Sequence, residues 1–251
     1  MSLMIEWRGN NTSLGDHKLV LIALPGVGNI GKASLEALND INNSEEIARL
    51  HHTALPPLAT LDEDGLLSPP HLSIKSIESK TGVNILTIVG NSQPLESQFQ
   101  GMMAREVMEF LKSQDVQTLI VLAGMVDVAT RKETFIVPSS SNFRIELESL
   151  GADVRRDEPS SGAIGMAALL SSYGPLFGIH SACAIATSVG SSGDIHASQR
   201  ILESLDKWFD LGVALPKDAS EKLTAKLASM TPKNVSDHYS ELTESPDAFY
   251  M

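Results

Sequence analysis

Cysteine occurs once in the 251 residues, as Cys183, so no disulfide can form within the chain. That excludes a disulfide framework and fits a reducing compartment. Cys183 sits in the apolar run Ala182–Ala186 and is expected to pack as a small hydrophobe rather than act as a nucleophile. Long apolar runs are missing: none approaches the roughly 18–20 residues that span a bilayer. The opening MSLMIEWRGN has no basic stretch followed by a long apolar one. No membrane segment or signal peptide is therefore expected, and the chain reads as cytoplasmic. Basic residues are also few, 19 Lys and Arg against 31 Asp and Glu, for a formal charge of −12. Such a surface repels phosphate backbones and anionic membranes, which argues against nucleic acid or lipid as a partner. The seven histidines include no H-x-x-x-H or H-E-x-x-H pair, and there is no cysteine cluster, so no metal or other cofactor is expected.

What is present is the composition of a folded protein, 42% apolar and 20% charged. Its length allows one large α/β domain or two small ones. Lys18–Leu24, Asn84–Val89, Gln117–Ala123, Thr134–Val137 and Ser181–Ala186 are short, continuously apolar runs. Continuous apolarity predicts strands buried on both faces, as in a parallel sheet covered by helices. Helical spacing separates them. Gln98–Lys112 aligns Met102, Met103, Val107, Phe110 and Leu111, and Ala163–Ser172 is small and apolar. Ile195–Leu211 aligns Ile195, Leu202, Leu205, Trp208 and Phe209. Asp218-Ala-Ser-Glu221 resembles a capping box opening a helix with Leu223, Leu227 and Met230 inside. The reading is α/β, a three-layer α/β/α sandwich on a mostly parallel sheet. It occupies a single domain over 1–230, followed by a polar, acidic tail over 231–251. His71–Glu78 alternates apolar and polar residues, which predicts an edge strand. Leu55–Pro70, with four prolines, is a less regular insertion.

The loop Pro25-Gly-Val-Gly-Asn-Ile-Gly-Lys32 follows a predicted strand and opens a predicted helix. Gly26, Gly28 and Gly31 match G-x-G-x-x-G, a pattern that brings backbone close to a pyrophosphate. The acidic residue that should end the second strand is missing, since Ile47–His52 ends in two histidines. Gly26, Gly31 and Lys32 also fit most of a P-loop, but Ala33 replaces its magnesium-binding hydroxyl. Tight helix–sheet packing is thus the first reading of these glycines, with an anion or small-ligand pocket, or a nucleotide enzyme, as alternatives. Serine and glycine also gather at Ser139–Ser141, Ser160–Gly162 and Ser191–Gly193, where turn chemistry or a ligand crevice would place them. His51 and His52 are expected to straddle the two faces of a strand end. Glu106 and Glu109, beside Arg105 and Lys112, read as a solvated helix face. No G-x-S-x-G elbow occurs, and no acid/base pair is indicated by spacing.

PGVGNIGK after the first apolar strand, ILTIVGNSQP, TLIVLAGM, and SGAIGMAALL leading to RILESLDKW occur in a telling order. Across about residues 18–212 the chain resembles the proteasome assembly chaperone family, in particular archaeal homologues of its second member. The resemblance implies an α/β/α fold like that of purine nucleoside phosphorylases without their catalytic residues, and self-association into homo-oligomers.

Phe249-Tyr250-Met251 has the form hydrophobic–Tyr–any. Proteasome activators and some assembly chaperones use such tails to enter pockets between α-subunits of the core particle. There a terminal carboxylate can meet a lysine, and a tyrosine can fill a part-apolar slot and find an acceptor for its hydroxyl. With 3 tyrosines in 251 residues and 42% apolar residues, a chance match is on the order of 0.5%. The expectation is a non-enzymatic, homo-oligomeric protein that binds core-particle α-subunits through Phe249, Tyr250 and Met251. The alternatives are a phosphorylase- or hydrolase-type enzyme built on the Gly26–Gly31 loop, and an unrelated binding module.

Overall fold

The structure, a computed structural model, describes residues 2–61, 65–80, 82–160, 162–190 and 194–215. The helix expected after Asp218 and the tail over 231–251 lie outside them. The elements in chain order are β1 (Leu3–Trp7), β2 (His17–Ala23), α1 (Ile30–Ile41), β3 (Glu45–His52), β4 (Thr60–Leu61) and β5 (Leu67–Ser68). They continue with β6 (His71–Ile77), β7 (Asn84–Gly90), α2 (Ser97–Ser113), β8 (Thr118–Val126) and β9 (Thr134–Pro138). The remainder are α3 (Ser141–Ser149), α4 (Met166–Phe177), β10 (His180–Ser188) and α5 (Ile195–Phe209).

Eight strands form one mixed sheet in the order β1-β3-β6-β7-β2-β8-β10-β9. Its centre, β7-β2-β8-β10, is parallel. These are the strands whose sequences are apolar without alternation, and burial on both faces is why. In β2, Val20 and Ile22 meet α2 and α4 on one face, while Leu19, Leu21 and Ala23 meet α1 and α5 on the other. The α/β/α layering expected from sequence is thus present. Small residues bring two helices together: Ser34 and Ser198 donate hydrogen bonds across the α1–α5 contact, to the Ser198 and Ile30 carbonyls.

The remaining strands pair antiparallel. β6 is an interior strand and not the expected edge, because β3 and then β1 extend the sheet beyond it. Its alternation has another cause. Leu72 and Ile74 face the α2 side of the core, while on the opposite face an ion-pair network replaces the apolar layer. Glu46 accepts from Arg49 Nε (2.9 Å) and Ser73 Oγ (2.5 Å), and Glu6 pairs with Arg8 (2.7 Å) and His51 (2.8 Å).

Four elements go beyond the sequence reading: β1, α3, and the two-residue strands β4 and β5 that pair within the Leu55–Pro70 insertion. Helix α3 starts where a serine loop was expected: Ser140 Oγ accepts the Phe143 N–H and caps it. Met102 departs from its expected buried stripe and is 38% exposed, whereas Met103, Val107 and Leu111 are fully buried. Helix α4 begins at Met166, three residues after the expected start.

Candidate functional site

The carboxyl ends of the parallel strands meet at one end of the sheet, and the glycine loop lies there. After β2 the chain passes through Pro25 and an extended Gly26 into a tight turn at Val27–Asn29. That turn needs left-handed backbone at Gly28 (φ 60°) and Asn29 (φ 51°). A side chain at Gly31 would collide with the Leu122 carbonyl of β8. Two residues further along β8, a Cβ at Gly124 would lie 2.5 Å from the Val27 carbonyl oxygen. Backbone therefore touches backbone at two points where the turn and α1 lie against β8, the role in helix–sheet packing read first from the sequence. Lys32 does not reach over the loop and lies 3.8 Å from Glu36, one turn along α1. The cavity beside the loop, lined by Gly26, Gly31 and Gln93 among others, holds only ≈ 170 Å³. Ligand pockets usually measure roughly 300–1,000 Å³.

A larger cleft runs alongside, over the ends of β8 and β10. It consists of two adjoining cavities of ≈ 500 and ≈ 520 Å³ that share Glu158–Ser160, Gly162, Ala163, Cys183 and Ile185. At its floor, burial pushes the Cys183 thiol up to about 11. It stays protonated at neutral pH and packs with Phe135 and Ile185, as a small hydrophobe would. At the rim, Arg131 is held by Asp127 (2.8 Å), Glu133 (2.9 Å) and Glu158 (2.5 Å), which raise its pKa further. Of the serine loops, Ser139, Ser160 and Gly162 line this cleft. The Ser139 hydroxyl also donates to the Ser181 carbonyl, and Ser191–Gly193 lie outside the described residues.

Serine, histidine and a carboxylate do meet at another place. Ser2 Oγ lies 3.0 Å from His52 Nε2 and 2.9 Å from Glu106 Oε1. The proton order runs opposite to that of a nucleophile. His52 Nδ1 accepts the Ala54 N–H (3.0 Å), so in the neutral ring Nε2 carries the proton and donates it to Ser2. Ser2 in turn donates to Glu106. Glu106 also accepts the backbone N–H groups of Ser2 (2.9 Å) and Leu3 (2.7 Å). It clasps the start of β1 to α2, contrary to the solvated role expected for it. Sequence could not show this, because the partners lie 104 residues apart. Glu109 does pair with Arg105 on the exposed helix face. His51 and His52 take opposite faces of β3, as alternation requires.

Among the described residues no group of three His, Cys, Asp or Glu is placed to hold a metal ion, and no helix is long and apolar enough to cross a membrane. Phe249, Tyr250 and Met251 lie outside the described residues.

A model of the PAC2 family matches residues 20–230. An uncharacterised protein of Methanocaldococcus jannaschii is 20% identical over 192 residues, 76% of this chain and 74% of its own. Pyrococcus furiosus PbaA, an archaeal homologue of proteasome-assembly chaperone, superposes with a TM-score of 0.69 at 22% identity, over 91% of this chain and 93% of its own. Pyrococcus furiosus PbaB, an archaeal proteasome activator, gives 0.70 at 19% identity, over 97% and 99%. Likeness at these identities is likeness of fold.

Proposed function

The chain belongs to the PAC2 family, and from that premise we propose that it is a non-enzymatic, homo-oligomeric cytoplasmic protein that binds the proteasome core particle or its α-subunits. Phe249, Tyr250 and Met251 make the contact, with a free carboxylate on Met251 as part of the proposal. The observation that carries this reading is the hydrophobic–Tyr–any motif on a chain with this family match. The descriptions of PbaA and PbaB as proteasome-assembly chaperone homologue and proteasome activator point the same way. Tyr250 supplies apolar area and a hydroxyl, Phe249 adds buried surface, and the carboxylate pairs with a lysine at the pocket floor. Several tails on one oligomer raise avidity without new contacts. In this reading Gly26, Gly28, Gly31 and Lys32 are scaffold.

Native mass spectrometry of the full chain with core particles and with free α-subunits tests it. Complexes are expected with the intact chain and not with one lacking Phe249–Met251. Equal binding by both would refute the mechanism.

A further inference from the structure

The two edges of the sheet are finished differently. At the β9 edge, Ile136 donates to the Asp153 carbonyl (2.9 Å) and accepts from the Arg155 N–H (3.1 Å), so the following segment closes it. At the β1 edge no strand among the described residues pairs beyond Leu3–Trp7. Nor does β1 carry the usual guards of an open edge, a lysine, a proline or a bulge. Met4 is 59% and Ile5 36% exposed.

Two hydrogen bonds fix which groups face outward. Arg8 N–H donates to the Ile47 carbonyl, toward β3, and Leu3 N–H donates to Glu106, away from it. Antiparallel alternation then turns the N–H and C=O of residues 3, 5 and 7 outward and those of 4 and 6 toward β3. The Ile5 N–H and C=O, the Leu3 C=O and the Trp7 N–H form an open ladder.

We propose that this ladder is an interface between two copies of the chain, β1 pairing antiparallel with β1 of the second copy about a two-fold axis at Ile5. Three features select that occupant and register. Centring on Leu3 fails because Glu106 already holds the Leu3 N–H. Centring on Trp7 fails because the strand ends there, and Gly9, with φ 60°, has left extended geometry. Centring on Ile5 sets Ile5 against Ile5 and Leu3 against Trp7 on the α2 face, all apolar. On the other face it sets Met4 against Glu6, so no like charges oppose, which matters for a chain of net charge −12. The pairing forms four main-chain bonds: Ile5 N–H to the opposite Ile5 carbonyl and Trp7 N–H to the opposite Leu3 carbonyl, each twice. The sheet becomes continuous through both copies. This interface gives a place to the self-association in the proposed function but does not depend on proteasome binding.

The test uses the full chain. Ile5→Pro removes an outward N–H and leaves the β1–β3 ladder intact. Native mass spectrometry should show multiples of two for the unaltered chain and half that mass for Ile5→Pro. Ile5→Cys should give a disulfide-linked dimer under mild oxidation, because such opposed Cα atoms lie about 5.5 Å apart, within disulfide reach. Met4→Cys and Glu6→Cys should each stay unlinked alone but link when mixed. Cys183 is buried and does not compete. An unchanged mass for Ile5→Pro, or a folded Ile5→Cys chain that stays unlinked, would overturn the proposal. Deleting Phe249–Met251 should leave the dimer intact, so failure of this interface and failure of tail docking give different results.

Discussion

The parallel centre of the sheet and its antiparallel wing, β6-β3-β1, share one hydrogen-bonded ladder but differ in chemistry. In the centre, β2 is buried on both faces by helices, and its neighbours approach so closely that Gly31 and Gly124 have no room for a side chain. Apart from Ile77 at the end of β6, which joins the core on the α1–α5 side, the wing is apolar only toward α2. Its other face holds Glu6, Arg8, Glu46, Arg49, His51 and Ser73 in polar contact. The centre therefore stores stability in packing, which is insensitive to pH and salt, and the wing stores part of it in charges, which are not. The centre is scaffold, while the wing ends at β1, an edge that no strand among the described residues pairs.

Substitutions should separate the two regions. The largest effect is expected for Leu21→Ala, fully buried in β2, at about 2–5 kcal/mol lost in denaturant unfolding. Gly31→Ala drives a methyl into the Leu122 carbonyl and should cost about 1–3 kcal/mol, more if α1 cannot shift. Glu46→Gln, in the part-exposed wing network, should cost only about 1 kcal/mol, and high salt should shrink the difference. A substitution in the wing's polar network as costly as Leu21→Ala would erase the distinction.

The subtlest difference is in pH dependence. Burial holds His52 below its usual 6.5, against the pull of Glu106, and burial does the same for His71. The unfolded chain then binds more protons than the folded one just below pH 6.5, so stability is full above that value and falls as pH drops through it. The carboxyls act lower down. Burial raises Glu46, but hydrogen bonds from Arg49 and Ser73 outweigh it, and the hydrogen bond from His51 is the main influence lowering Glu6. Their contributions are present above about pH 4.5 and are lost as pH falls further. Unfolding midpoints between pH 8 and about pH 2 should decline in these two stages. His71→Gln should flatten the upper stage, and Leu21→Ala should shift the whole curve down without changing its shape.

The same contrast explains what could be read from sequence. Strands buried on both faces announce themselves as unbroken apolar runs, so β2, β7, β8, β9 and β10 were placed within a few residues. The wing strands alternate or are short. Leu3-Met-Ile-Glu-Trp7 is only five residues long, and although Gly9-Asn10-Asn11 marks a turn after it, nothing in the sequence marks where it begins. The alternation of β6, which suggests an edge, instead reflects its polar face. Ser140 followed by Phe143 and Leu147 was a legible start for α3, hidden by the serine-rich run before it. At the candidate site the packing role of the glycines was legible because the nucleotide fingerprints were incomplete. The Ser2–His52–Glu106 clasp was not, since only the folded sheet brings those residues together. The tail motif is legible in sequence alone.

The central functional claim is that this scaffold presents Tyr250 to the proteasome core particle. Titrating core particles with the full chain and with Tyr250→Ala measures it most directly. Losing a buried tyrosine anchor should weaken binding roughly thirtyfold, about 2 kcal/mol, with the unfolding midpoint unchanged. Equal dissociation constants for the two chains, or no binding by the intact one, would contradict the account.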